Sequence, residues 1–186
     1  MRKILVGISG ASGAPIAIGL LKRLNENPDV ETHLVMTHGA ELTILQETKY
    51  TVDKVKTLAD VVYDNSSIGE RPASGSFKID SMIVVPCSMK TVAGIASGYS
   101  ENLLLRAADV TLKEARPLIL VVRETPLSPI HLRNLNELSK MDVRIMPPMI
   151  SYYQGYTTID EWTDGFVERL LRIMGVENKA MEWQGM

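Results

Sequence analysis

Arg123 and Glu124 stand directly after an apolar run, residues 118–122, and that placement is the first sign of chemistry in the chain. A guanidinium at the end of a buried strand is better placed to meet a ligand than to make a surface ion pair. Glu47 and Glu124 are the carboxylates able to exchange a proton, although each also reads as the partner of a nearby arginine. Arg106 and Lys113 lie seven apart in one helical stretch, hence on one face two turns apart, a pattern that by itself describes a solvated basic stripe. Arg169 sits between Val167 and Leu170 and reads as a snorkelling cation. Tyr153, beside Tyr152, reads first as a packing residue. Cys87 reads as a small buried filler.

A second kind of chemistry is legible at the opening of the chain. The run Ile4-Leu5-Val6 leads into Gly7-Ile8-Ser9-Gly10-Ala11-Ser12-Gly13, and an amphipathic segment begins at Pro15. A strand, a tight loop and a helix N-terminus in that order suit an anion, because the first helical N–H groups have no partner inside the helix. Gly10 and Gly13 let the backbone approach a phosphate, and Ser12 adds a hydroxyl. The phosphate is therefore expected at the helix N-terminus after Gly13. The spacing is not the dinucleotide fingerprint and no Walker lysine follows, so a nucleotide of another kind is the better reading.

The elements that must position these groups alternate. Strands are predicted at 4–6, 30–37, 82–85, 118–122 and 143–146. Helices are predicted at 15–24, 39–47, 52–61 (with Thr51 as N-cap), from about 91, and at 103–115, 130–140 and 159–174. Residues 63–78, rich in Ser, Gly, Asn, Asp and Pro, read as a long functional loop. Strands apolar on both faces predict a single α/β domain over residues 1–186, a Rossmann-like (flavodoxin-like) parallel sheet with helices on both faces. Ligands of such sheets bind beyond the carboxyl ends of the strands. Those ends carry Ser9 to Ser12, Thr37-His38, Cys87 to Thr91, Arg123-Glu124 and Tyr152-Tyr153, a set suited to a phosphorylated, planar ligand.

Composition narrows the function. A length of 186 residues fits one domain, and a net charge of −2 with dispersed charges shows no nucleic-acid footprint. One cysteine excludes an internal disulfide and fits a reducing, cytoplasmic setting. The three histidines show no ligand spacing, so no metal site is expected. No apolar run is long enough to span a bilayer, and no leader-like segment precedes the first strand.

Taken together the motifs resemble the flavin prenyltransferase family, the UbiX-like proteins. The resemblance is carried by the glycine loop, Ala73-Ser74-Gly75-Ser76-Phe77, Pro86-Cys87-Ser88-Met89-Lys90-Thr91, Arg106-Ala107-Ala108-Asp109, Leu112-Lys113-Glu114, Arg123-Glu124-Thr125-Pro126-Leu127 and the terminal Trp183-Gln184-Gly185. It implies a metal-independent enzyme that joins a dimethylallyl group from dimethylallyl phosphate to reduced flavin mononucleotide (FMN). The product, prenylated FMN, serves UbiD-type decarboxylases. The resemblance places FMN contacts on Gly10, Ala11, Ser12, Thr37, Ser88, Met89, Lys90, Thr91, Arg106 and Arg123, and prenyl-phosphate contacts on Lys113, Arg123, Tyr153 and Arg169. Catalytic roles fall on Glu47, Ser12, Glu124 and Lys113, with either Glu47 or the retained phosphate removing the final proton. A homo-oligomer, dodecameric in the family, with a site shared between subunits is implied as well. The chain departs from the family pattern at Thr37-His38, at residues 150–155 and at Ala115. The reading from another class is an FMN-binding accessory subunit of a hydroxyarylic acid decarboxylase. Flavin-dependent cysteine decarboxylases share the glycine loop but need a Pro-x-Met-Asn-x-x-Met-Trp segment that this chain lacks.

Overall fold

The computed structural model describes residues 1–180 and 185. Trp183 and Gln184 of the terminal motif lie outside the described residues. Six strands, β1 (Arg2–Ile8), β2 (Val30–Met36), β3 (Val61–Tyr63), β4 (Ser81–Cys87), β5 (Leu118–Val122) and β6 (Arg144–Ile145), pair in parallel in the order β3-β2-β1-β4-β5-β6. Successive strand residues point to opposite faces, which splits the apolar runs into two cores. Ile4, Val6, Ile8, Ile83, Val85, Ile119 and Val121 pack with α1 (Ala14–Asn25) and α7 (Ile159–Met174). Leu5, Met82, Val84, Leu120 and Val122 pack on the other side with α4 (Met89–Ser97), α5 (Leu103–Lys113) and α6 (Pro129–Ser139).

Helix starts follow from short polar side chains. Thr37, Thr51, Ser88, Asn102, Ser128 and Thr158 each accept a first-turn N–H, for α2 (His38–Glu47), α3 (Val52–Lys56), α4, α5, α6 and α7 respectively. The start of α1 differs: Gly13 stands at its N-cap with φ 124° and offers no side chain.

The sheet has one strand more than the five expected. The helix expected over 52–61 ends at Lys56, and residues 61–63 form β3. The cause lies at Asp60, whose carboxylate accepts from the Thr32 N–H at 2.7 Å while its own N–H donates to the Thr32 carbonyl at 3.0 Å. That tie brings the β-branched pair Val61-Val62 alongside β2. Without β3 the remaining strands have the flavodoxin-like order 2-1-3-4-5, and the added edge strand makes it 3-2-1-4-5-6. Other boundaries move inward or outward by a turn or less; among them, α4 begins at Met89, α5 ends at Lys113, β1 and β4 lengthen and β6 shrinks to two residues. The loop expected over 63–78 follows β3, includes a 3-10 turn at Arg71–Ala73, and is pinned to α5 by Asn65, which accepts from the N–H groups of Leu103 and Leu104.

Candidate active site

The order reverses between β1 and β4, and the loops leaving those strands lie side by side at the carboxyl edge of the sheet. Three adjoining cavities open there. The first, about 470 Å³, is lined by Gly10, Thr37, His38, Gly39, Asn65, Ser88, Lys90, Thr91 and Asn102 among others. It gathers the N-termini of α2, α4 and α5, whose first-turn N–H groups lack partners within their own helices. Partial positive charge from these N-termini and the hydroxyls of Thr37, Ser88 and Thr91 make it a place for an anion. The second cavity, about 410 Å³, is lined by Gly10, Ala11, Ser12, Thr43, Gln46, Glu47, Ser88, Met89, Arg123 and Glu124. The third, about 440 Å³, adds an apolar wall of Pro15, Ile16, Pro148, Ile159 and Trp162 to Ser12, Glu47 and Arg123. Shared walls (Gly10 and Ser88, then Ser12, Glu47 and Arg123) make one cleft of the three.

Glu47 occupies the expected phosphate position. Its Oε2 accepts from both Gly13 N and Ala14 N at 2.9 Å, so the α1 N-terminus is capped by a carboxylate from the last turn of α2. An anion placed after Gly13 would compete with that carboxylate. The open donors lie across the loop, in the first turns of α2 and α4, since Asn65 and Asn102 already take the first three N–H groups of α5. Among the described residues Glu47 Oε1 has no hydrogen-bond partner, and the α1 cap holds the side chain at the wall shared by the second and third cavities.

Of the residues expected in the site, Gly10, Ala11, Ser12, Thr37, Glu47, Ser88, Met89, Lys90, Thr91, Arg123 and Glu124 line this cleft. Lys90 is exposed and approaches Glu101 at 3.7 Å, so its contribution to the wall comes from the helix start. Four others are not brought in by the chain on its own. Lys113 ends α5 just before β5 begins, at the amino edge of the sheet, and is paired with Glu114, whose carboxyl its ammonium holds below the usual range. Arg106 turns to the 71–77 loop, donating to the Ala73 carbonyl at 3.3 Å and to Asp109 at 2.6 Å. Arg169 is exposed two turns beyond Trp162 on α7, and Tyr153 lies on an exposed 3-10 turn at Tyr152–Gln154. Cys87 stays inert: complete burial pushes its thiol far up.

Gly39, Asn65, Asn102 and Trp162 were not anticipated as site residues. Gly39 had a legible signal, since it directly follows a strand-end Thr-His pair. Asn65 and Asn102 had none, because only the fold sets them beside β1 and β4. Among the described residues no three His, Cys, Asp or Glu side chains are grouped to hold a metal ion.

A parallel sheet with a donor-rich cleft at its switch point defines a Rossmann-type protein for a phosphorylated ligand, and the Flavoprotein family model matches residues 1–170. The chain belongs to that family and, within it, to the UbiX-like flavin prenyltransferases. A probable UbiX-like flavin prenyltransferase of Sedimentibacter hydroxybenzoicus is 46% identical over 98% of this chain and 97% of its own length. A dodecameric FMN-dependent UbiX-like decarboxylase from Escherichia coli O157:H7 superposes with a TM-score of 0.97 at 49% identity, covering 99% of this chain and all of that one. AnUbiX, solved in complex with FMN and dimethylallyl pyrophosphate, gives a TM-score of 0.96 at 45% identity over 100% of this chain and 98% of its own.

Proposed function

We propose that the chain is a flavin prenyltransferase that joins a dimethylallyl group from dimethylallyl phosphate to reduced FMN, yielding prenylated FMN for UbiD-type decarboxylases. One observation carries the reading: the cleft puts phosphate donors on one side of the glycine loop and Glu47, Arg123 and an apolar wall on the other. A nearly superposable relative, AnUbiX, was solved in complex with FMN and dimethylallyl pyrophosphate. Bound flavin supplies the nucleophilic nitrogen; the protein's share is to hold, shield and stabilise. The N-termini of α2 and α4 receive the flavin phosphate, and Gly10 to Ser12 with Met89 and Arg123 border the ring system. Arg123 offsets charge that grows on the departing prenyl phosphate, and the apolar wall excludes water. Glu47, fixed by the α1 N-terminus, presents Oε1 as the proton acceptor.

Lys113, Tyr153 and Arg169 complete the prenyl-phosphate site, and Arg106 the FMN site, from neighbouring copies in a homo-oligomer, most simply a dodecamer of the kind its E. coli relative forms. The whole chain, 1–186, acts as one flavoprotein domain in the cytoplasm. Anaerobic incubation with reduced FMN and dimethylallyl phosphate tests the reading by the mass of the released flavin. A mass higher by one dimethylallyl group is expected. Unchanged FMN from a preparation that still sustains a partner decarboxylase would establish the accessory-subunit reading instead.

A further inference from the structure

β1 and β4 pair in register from Ile4↔Ser81 to Gly7↔Val84 and then part. Just beyond, Pro86 has no N–H to give, and β4 slips against β5 between Val84 and Cys87. The break falls where β4 must hand the chain to Ser88, the N-cap of α4. Ser9 spans it. Its N–H donates to the Pro86 carbonyl at 3.2 Å, its hydroxyl donates to the same carbonyl at 3.0 Å, and its Oγ accepts from the Ser88 N–H at 2.8 Å. Ser9 is 1% exposed and its bond to the Pro86 carbonyl is buried, while Ser88, only partly buried, stands with it at the wall of the anion cavity. A hydroxyl suits the position because it gives one hydrogen bond and takes another at a single atom.

The consequences run outward from Ser88. Ser88 Oγ accepts from Thr91 N at 3.3 Å and lies 3.1 Å from Thr91 Oγ1, while the neighbouring Cys87 carbonyl accepts from Arg123 N at 3.2 Å. A shift of Ser88 therefore moves the α4 donors of the anion cavity. We propose that Ser9 is a positioning residue, whose buried hydroxyl sets the α4 N-terminus in place to receive the flavin phosphate. The proposal rests on the reading that the cavity at α2, α4 and α5 takes that phosphate.

The test compares dissociation constants for FMN and for riboflavin, which lacks the phosphate, by fluorescence quenching of the full chain, with thermal unfolding of the same samples. Ser9→Ala should weaken FMN about tenfold or more and riboflavin less than about threefold, since it takes the partner of the Ser88 N–H away at the phosphate end, while the Pro86 carbonyl keeps its bond from the backbone N–H of residue 9. Ser81→Ala is the control: Ser81 is a buried serine at the other end of β4 whose hydroxyl has no partner, and both ligands should stay within about twofold of wild type. FMN affinity of Ser9→Ala within about twofold of wild type overturns the proposal, and so does an equal loss for both flavins, which marks a merely structural residue. Should Ser9→Ala fail to fold, Ser9→Cys, with a weaker donor and acceptor of similar size, is read against the same two outcomes. A wild-type chain that binds FMN no tighter than riboflavin overturns the phosphate reading and this assignment together. A wild type that discriminates, matched by a Ser9→Ala that discriminates equally, overturns only the role of Ser9.

Discussion

Two glycines decide how closely the halves of the cleft approach. A Cβ on Gly10 would stand 3.0 Å from the Cα and carbonyl carbon of Gly39, and one on Gly39 would stand 3.2 Å from the Gly10 Cα. Both contacts are backbone to backbone, so neither can be relieved by a rotamer change; the glycine loop or the start of α2 must move. Gly10→Val should therefore abolish FMN binding by pushing α2 off the loop, with the rest of the chain still folded. Fluorescence titration with FMN and far-UV circular dichroism on one sample check this, and FMN affinity equal to wild type would show that the ligand avoids this loop. The meaning of Gly10 was legible from its place after a strand, and that of Arg123 from its place at a strand end. Glu47 was legible as a candidate acid–base carboxylate, but its grip on Gly13 and Ala14 was not, because nothing local records that the last turn of α2 lies over the first turn of α1.

At the scale of elements, α4 and α7 end on glycines in the left-handed conformation, but α5 and α6 end less comfortably than they begin. Six starts carry a side-chain cap, yet the residue closing α5 beyond its C-cap is Ala115 at φ 52°, and Asp142 takes φ 58° after α6. Arg116 N donates to the Thr111 carbonyl across that turn, the six-to-one bond of a left-handed helix stop. Glycine is the residue such a stop favours, since an L side chain in this conformation costs roughly 1–2 kcal/mol. Ala115→Gly should raise stability by about 0.5–1 kcal/mol, or about 1–4 °C in the thermal midpoint, after the extra freedom that glycine gains in the unfolded chain is deducted. Ala93→Gly, in the middle of α4, should lower it by about as much. Melting curves that move both variants the same way would show that Ala115 is not strained. The same contrast explains which elements were readable. α7 was visible at full length because an apolar stripe, Thr158 and a final glycine agree. β3 was not, because its three residues depend on the Asp60–Thr32 tie.

For the whole molecule, the chain by itself leaves the cleft open and apolar side chains outside. Leu42 and Leu45 on α2 are 55% and 57% exposed, and Ile130 and Leu132 on α6 are 60% and 53% exposed, as suits a chain that packs against copies of itself. Lys113 stands at the amino edge of the sheet, and α5 spans about 15 Å between it and the cavity at its own N-terminus, so it cannot serve the cleft of its own chain. That separation was invisible in the sequence, where Arg106 and Lys113 look like neighbours on one helix face. If sites are shared, as proposed, a cleft with an intact Glu47 can borrow Lys113 from another subunit. Glu47→Ala and Lys113→Ala should each be inactive as pure oligomers that remain assembled; Lys113→Ala should keep its FMN, because its own flavin site is untouched. Co-expressed, the two chains mix at random, and about a quarter of the sites should pair an intact cleft with an intact lysine. Prenylated FMN should then form at about a quarter of the wild-type rate per chain, from two parents that form none. Two different affinity tags, one on each variant chain, recovered together through sequential purification confirm that mixed oligomers are present, and mass analysis of the flavin gives the yield. Mixed oligomers as inactive as either parent would mean that each site draws Glu47 and Lys113 from the same chain, and the shared site would have to be abandoned.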